Sequence, residues 1–300
     1  LPVESRIEIG RALIENSDPK TRKSGLMFLA VNAKGADSAN AATATAEFKD
    51  DDSIKALGEA VRHAESETRI AAAASLQKIG HADGLAFLAA ADVEDADSGE
   101  QIFAAIRGIF AQQPLPYVLK ATRNKNKILK QSAVATLGAM VETKAGRKNR
   151  KTIVKTLKTL AKAKEEKIRA AAARSFEIMA GPDVREDLLA LARDKSVIVI
   201  RAVAQGLRAF PGDDSVKLLM GYIKSDDTTV LARTVESLGF LKIKAAIDPI
   251  SENLKHSDAL VRRSATGALV NLGTVLGQER ALLAFLSPQL FDSDAQVRMA

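Results

Sequence analysis

The sequence predicts an all-α fold, a right-handed α-α superhelix of stacked helical hairpins, and three observations lead there. One residue pattern recurs nine times along the 300 residues. Four successive copies stand 31 residues apart, a regularity that marks a repeat architecture. The chain is 46% hydrophobic but only 4% aromatic, without Trp or Cys, so its core rests on Ala, Leu, Ile and Val, residues that suit closely packed helices.

The copies align on Arg22, Arg69, Ile102, Lys130, Arg169, Ile200, Leu231, Arg262 and Arg298. Four residues ahead of these anchors stand Asp18, Glu65, Ser98, Asn126, Glu165, Ser196, Asp227, Asp258 and Asp294. All are acidic or of a type that caps a helix N-terminus, so a helix should begin near each. Seven residues after the anchor comes a large apolar residue: Leu29, Leu76, Ile109, Leu137, Phe176, Leu207, Leu238 and Leu269. Three residues after it lies a mostly small one: Gly25, Ala72, Ala105, Ala133, Ala172, Val203, Thr234 and Ala265. The tenth position is often large again, as at Met140, Met179, Phe210 and Leu272. Positions three, seven and ten share one face of a helix, and small residues among large ones let neighbouring helices approach.

A second helix is expected ahead of each anchor helix, as over 184–193, 215–224 and 245–255, which makes each unit a hairpin. A single repeat array is expected over 1–300, and its regularity is uneven. Residues 1–150 are degenerate and carry insertions, with anchor spacings of 47, 33, 28 and 39. The largest insertion, 31–52, includes Asn40-Ala-Ala-Thr-Ala-Thr-Ala46 and reads as an irregular or partly helical excursion. A second lies at 142–150. Regular 31-residue repeats run over about 151–275, and a truncated copy occupies 286–300. Beginning at Leu1 and stopping inside a repeat, the sequence reads as a piece of a longer chain.

The run Asp258-Ala-Leu-Val-Arg-Arg-Ser-Ala-Thr-Gly-Ala-Leu269, restarted in Asp294-Ala-Gln-Val-Arg-Met-Ala300, resembles the short HEAT repeats named after phycobilisome lyases. The resemblance is tight from about residue 150 onward and loose before it. It implies a HEAT-repeat solenoid. It also implies scaffold or adaptor work, since proteins with such repeats are mostly that, with occasional enzymes; fold alone does not choose between them.

Candidate chemistry is sparse. His63, His81 and His256 fall in three different repeats, too far apart in a rod of nearest-neighbour contacts to share a metal, and His63 with Glu67 reads as an ordinary surface pair. The His-Glu pairs that mark the iron-dependent HEAT hydroxylase of deoxyhypusine are absent. No phosphate-loop, dinucleotide or serine-hydrolase motif occurs, and Gly273-Thr-Val-Leu-Gly277 reads as an inter-helix turn. Asp50-Asp51-Asp52 lacks the glycine of a calcium loop and reads as acids complementing a helix N-terminus near Ser53. No catalytic residue, cofactor or metal is expected. Lyase chemistry rests on the repeat resemblance alone. HEAT-like DNA glycosylases of the alkylpurine type resemble this chain in their basic surface but handle DNA with Trp, which this sequence lacks.

The charge is localised. Residues 1–119 hold 12 Lys+Arg against 18 Asp+Glu and residues 175–300 hold 15 against 16, whereas residues 120–174 hold 17 against 3. Within that segment Ile153, Val154, Leu157, Leu160 and Ala161 form a buried stripe. Lys151, Lys155, Lys158 and Lys162, at spacings of four, three and four, form a second one, and Lys144, Arg147, Lys148 and Arg150 extend it. Such density attracts nucleic acid, anionic lipid or an acidic protein. Segment 120–174 contains no aromatic residue, so base stacking is not expected and any nucleic-acid contact would be with the backbone. A solvated lysine face is the plainer account.

The expected function is therefore a protein-interaction scaffold that holds another protein along its concave second-helix surface or inserted loops. The alternative is polyanion docking through residues 144–164. No apolar run approaches the roughly 18 residues of a membrane span, and no signal-peptide pattern opens the chain. Zero cysteines fit a reducing cytoplasm, the favoured compartment, and equally a disulfide-free periplasm or a secreted route after signal removal.

Overall fold

The structure, a computed structural model, describes residues 1–63, 65–91, 96–276 and 279–300. It is all-α, with no strand among the described residues. Among the described residues twenty α-helices follow in order. They are α1 Val3–Ile14, α2 Pro19–Asn32, α3 Ala36–Thr45, α4 Asp51–Ala60, α5 Ser66–Ile79, α6 Gly84–Ala89, α7 Ala96–Gln112, α8 Leu115–Ala121, α9 Lys127–Met140 and α10 Lys144–Lys148. Then come α11 Arg150–Leu160, α12 Glu166–Met179, α13 Pro182–Leu191, α14 Val197–Gly206, α15 Asp213–Tyr222, α16 Thr228–Phe240, α17 Ile247–Glu252, α18 Ala259–Leu276, α19 Glu279–Leu286 and α20 Ala295–Arg298. The chain forms two compact units, Leu1–Thr136 and Leu137–Ala300.

The predicted helix starts are realised where the side chain can reach an unpaired amide. Asp18 accepts the Thr21 N–H at 2.9 Å, Asn126 that of Ile128 at 2.9 Å, Asp227 that of Val230 at 2.8 Å and Asp294 that of Gln296 at 2.8 Å. These bonds satisfy donors that a helix leaves open in its first turn. Asp50 caps α4 by accepting the Ser53 N–H at 3.0 Å, as the acidic run implied. The position-seven residues, from Leu29 to Leu269, are all buried.

In the first unit α4, α6 and α8 are the first helices of their hairpins and α5 and α7 the second, as is α9, whose last turn belongs to the second unit. The N-terminal part departs from the sequence reading. The Arg22 alignment makes α2 a second helix, but α2 packs beside α4 and is a first helix. Its hairpin partner is α3, inside the segment read as an irregular or partly helical excursion. That helix packs on α5, and Ser38 Oγ lies 2.6 Å from Thr68 Oγ1, 30 residues on. Its Ala-rich sequence misleads because the buried positions Ser38, Ala41, Ala42 and Thr45 are all small, which lets α3 lie close to its neighbours. Counted from α3, the first spacing is thus an ordinary 30 residues.

In the second unit α11, α13, α15, α17 and α19 are first helices, while α12, α14, α16, α18 and α20 are second ones. Close approach between second helices depends on small residues: a Cβ added at Gly138 would sit 2.6 Å from the Ser175 backbone, and one at Gly239 2.6 Å from Ala268 Cβ. The insertion at 142–150 is the short helix α10, capped by Thr143 Oγ1, which accepts the Gly146 N–H at 3.0 Å. The run at 273–277, expected to be a turn, instead continues α18 through Leu276, and Gly277 lies outside the described residues.

Candidate partner-binding surfaces

Two of the anchors, Arg169 and Arg262, proved to be structural clamps. Arg169 Nε and Nη2 donate to the two carboxylate oxygens of Asp194 at 2.6 and 2.8 Å, while Nη1 donates to the carbonyls of Ala163 and Lys164 at 2.9 and 2.8 Å. Arg262 repeats the arrangement with Asp292 and the carbonyls of His256 and Ser257. In each case one guanidinium closes its own hairpin turn and clamps the next repeat. Fork-to-fork pairing of this kind is the strong, oriented form of the ion pair. It holds the Asp194 carboxyl below the usual carboxylate range, and Asp292 falls to about 2, chiefly through its bonds to Arg262.

A second recurring device sits six residues ahead of the anchor, where a side chain accepts the amide two residues on. Asn124, Asp194, Ser225 and Asp292 do so for Asn126, Ser196, Asp227 and Asp294. Two histidines occupy the same place: His63 Nδ1 accepts the Glu65 N–H at 3.1 Å and His256 Nδ1 that of Asp258 at 3.0 Å. His63 Nε2 meets the Ala33 carbonyl at 2.9 Å. These histidines are turn-forming groups, and among the described residues no cluster of metal-ligating side chains occurs.

The basic segment lies on the first-helix layer of the second unit, on α10, α11 and the turn that follows. Three of its members are neutralised. Arg150 Nε and Nη2 donate to Asp183 at 3.1 and 2.8 Å, Lys158 Nζ pairs with Asp187 at 3.0 Å, and Arg147 stands 3.9 Å from Glu142. The first two acids belong to α13, so the next repeat answers part of the stripe. Lys144, Lys148, Lys151, Lys155 and Lys162 are exposed, and none of them makes an ion pair among the described residues. Lys162 lies beyond the end of α11. Arg169 does not join the stripe, because Asp194 and two carbonyls hold it.

A different surface was not foreseen from the sequence. On the exposed side of the second helices of the same unit, a notch of about 450 Å³ is lined by Arg174, Glu177, Ile178, Gln205, Arg208, Ala209 and Phe240. Position nine of three consecutive repeats reads Ile178, Ala209 and Phe240, so a small residue is bracketed by two large apolar ones. Ile178 is 48% and Phe240 58% exposed. The Arg208 guanidinium carbon stands 5.7 Å from the Phe240 ring centroid, and Glu177 accepts from Arg208 Nε at 3.0 Å and Gln205 Nε2 at 3.1 Å. An aromatic face with a cation over it and a polar rim is a surface suited to an apolar anchor. The signal was present in the sequence as apolar residues off the three-seven-ten stripe.

Comparison with known proteins agrees with this architecture. The family model for HEAT repeats matches residues 26–107, 115–208 and 188–270. No curated protein matches the sequence. Among solved structures, the karyopherin Kap121p bound to the extreme C-terminus of the protein phosphatase Cdc14p is similar over 100% of this chain and 41% of its own length, with a TM-score of 0.59 at 10% identity. An engineered protein is similar over 99% of this chain and 93% of its own, with a TM-score of 0.44 at 19% identity. Human deoxyhypusine hydroxylase in complex with glycerol is similar over 91% of this chain and 97% of its own, with a TM-score of 0.39 at 13% identity. At these identities the likeness is one of fold alone. Among the described residues no helix is long and apolar enough to cross a membrane.

Proposed function

We propose, for a chain that belongs to the HEAT-repeat family, that its work is to hold a partner protein rather than to catalyse a reaction. The observation that carries this reading is the notch at Ala209, where Phe240 and Ile178 stand exposed beside Arg208 and Arg174. Exposed large apolar residues that converge on one concavity leave an apolar area unburied, and a partner side chain that fills it regains the transfer free energy. The similar fold of Kap121p, seen holding the C-terminus of a phosphatase, is consistent with a solenoid face that takes a protein segment.

The test is a displayed random-peptide library selected on the wild-type chain and on Phe240→Ala. Peptides with an aromatic or long aliphatic residue are expected to be enriched on the wild type. The variant should bind them at least tenfold more weakly, as truncation of an aromatic anchor typically does. Phe240 is mostly exposed, so unfolding in urea should shift by less than about 0.5 kcal/mol. Equal enrichment on both proteins would rule out the notch.

A further inference from the structure

The five exposed lysines on α10, α11 and the following turn make a second docking surface, independent of the notch. We propose that Lys144, Lys148, Lys151, Lys155 and Lys162 form a ridge that docks on the backbone of duplex nucleic acid. Four features choose this partner. The first is linearity: Lys151, Lys155 and Lys158 recur along one side of α11, and at about 1.5 Å per residue that row covers roughly 10 Å, with Lys162 in the turn that follows. A row of charge suits a rod whose own charge density is about one per 1.7 Å.

The second feature is the kind of cation left free. Arg150 and Arg169, the residues able to grip a single phosphate or a guanine edge with two bonds, are spent on Asp183 and Asp194. What remains is lysine, a point charge that neutralises phosphates without selecting among them. The third is the absence of any aromatic residue over 120–174, which removes the stacking platform that single strands need. The fourth concerns lipid: none of the exposed large apolar residues lies between Tyr117 and Ile178, so the ridge has nothing to insert into a bilayer.

The length of the ridge is set by its acidic neighbours. Lys158 belongs to the row by position but is bridged to Asp187 at 3.0 Å. Neutralising Asp187 therefore adds a cation to the ridge, which gives the proposal a test through gain as well as loss.

The experiment titrates a mixed-sequence DNA duplex against the full chain across a salt series. Five phosphate contacts set the slope of log K against log salt at about −4.5, a loss of about 500-fold between 50 and 200 mM. The variant Lys151→Ala/Lys155→Ala should lower the slope to about −2.7, and Asp187→Asn should tighten binding and steepen the slope by about one. Phe240→Ala should leave duplex binding unchanged, so the ridge and the notch fail separately. Vesicles containing phosphatidylserine and a polyglutamate chain serve as the other anions. No duplex binding, a slope unmoved by the two lysine substitutions, weaker binding by Asp187→Asn, or vesicles or polyglutamate bound as tightly as the duplex would each overturn the proposal.

Discussion

Among the described residues the two compact units show different contacts between their repeats. In the first unit, beyond the N-terminal pairs Arg11–Asp37 and Lys23–Asp50, the joints that the described residues show are largely neutral. Ser38 meets Thr68, Ser66 meets Ser98 and His63 meets the Ala33 carbonyl, while Gln112 and Gln113 donate to the carbonyls of Gln77 and Gly80. The second unit also carries a series of guanidinium–carboxylate pairs between repeats: Arg150–Asp183, Arg169–Asp194, Arg185–Asp214, Arg201–Asp227 and Arg262–Asp292. The same hairpin can thus be stacked by either set, because the apolar face supplies most of the driving force and the polar joint mainly fixes register. What differs is the response to acid and salt, since only ionised joints are lost when a carboxylate is protonated.

The largest effect that would break this comparison is expected at Arg169. Arg169→Ala removes four hydrogen bonds and leaves the mostly buried Asp194 carboxylate without its partner, at a cost of about 2 kcal/mol once solvent screening is allowed for. Arg201, whose guanidinium bonds only Asp227, should cost about 1 kcal/mol on the same change. Urea unfolding measures both. Arg169→Lys should fail to rescue, because one ammonium cannot make the fork, and full rescue would show that charge alone holds the joint.

Next in size is the response to acid. Asp183, Asp194 and Asp227 are held below the usual carboxylate value of 3.8 by hydrogen bonds from Arg150, Arg169 and Arg201, and Asp292 lies at about 2. A group with a depressed folded value stabilises above its unfolded value, and that contribution disappears as pH falls through the folded one. Hydrogen-exchange protection at these joints should therefore decline between about pH 4 and pH 2. Among the described residues of the first unit the lowered carboxylates are Asp18 and Asp50, so the Ser38–Thr68 joint should keep its protection over that interval. Equal loss at both kinds of joint would erase the distinction.

The smallest effect sharpens the comparison at a joint that both units share. Ser75 Oγ donates to the Ala42 carbonyl at 3.0 Å and Ser237 Oγ to that of Ala204 at 2.8 Å, each reaching 33 residues back. Ser75→Ala and Ser237→Ala should cost the same, about 1 kcal/mol each by urea unfolding. A clear inequality would mean that the units differ in packing as well as in joint chemistry.

Much of this was legible in the residues. The apolar positions three and seven after each anchor are buried as expected, and Asp18, Asn126, Asp227 and Asp294 cap the helices they precede. The segment around α3 was read as irregular or partly helical, and its place as a repeat helix was missed because its core face is Ala, Ser and Thr, with no large residue to mark a periodicity. The basic segment was found by its charge, yet the sequence showed eight equivalent cations where the fold leaves five free. The notch was missed because no single repeat contains it: Ile178, Ala209 and Phe240 are informative only side by side.

By itself the sequence determined the all-α class, the repeat, its core positions and its helix starts, because all of these are set by residues within about ten positions of one another. Only the tertiary structure decided that α2 is a first helix, that Arg169 and Arg262 are clamps, that Arg150 and Lys158 are answered by α13, and that a notch opens at Ala209. Each of these depends on partners roughly 25 to 33 residues apart that stacking brings into contact, and no local pattern encodes which of them will meet.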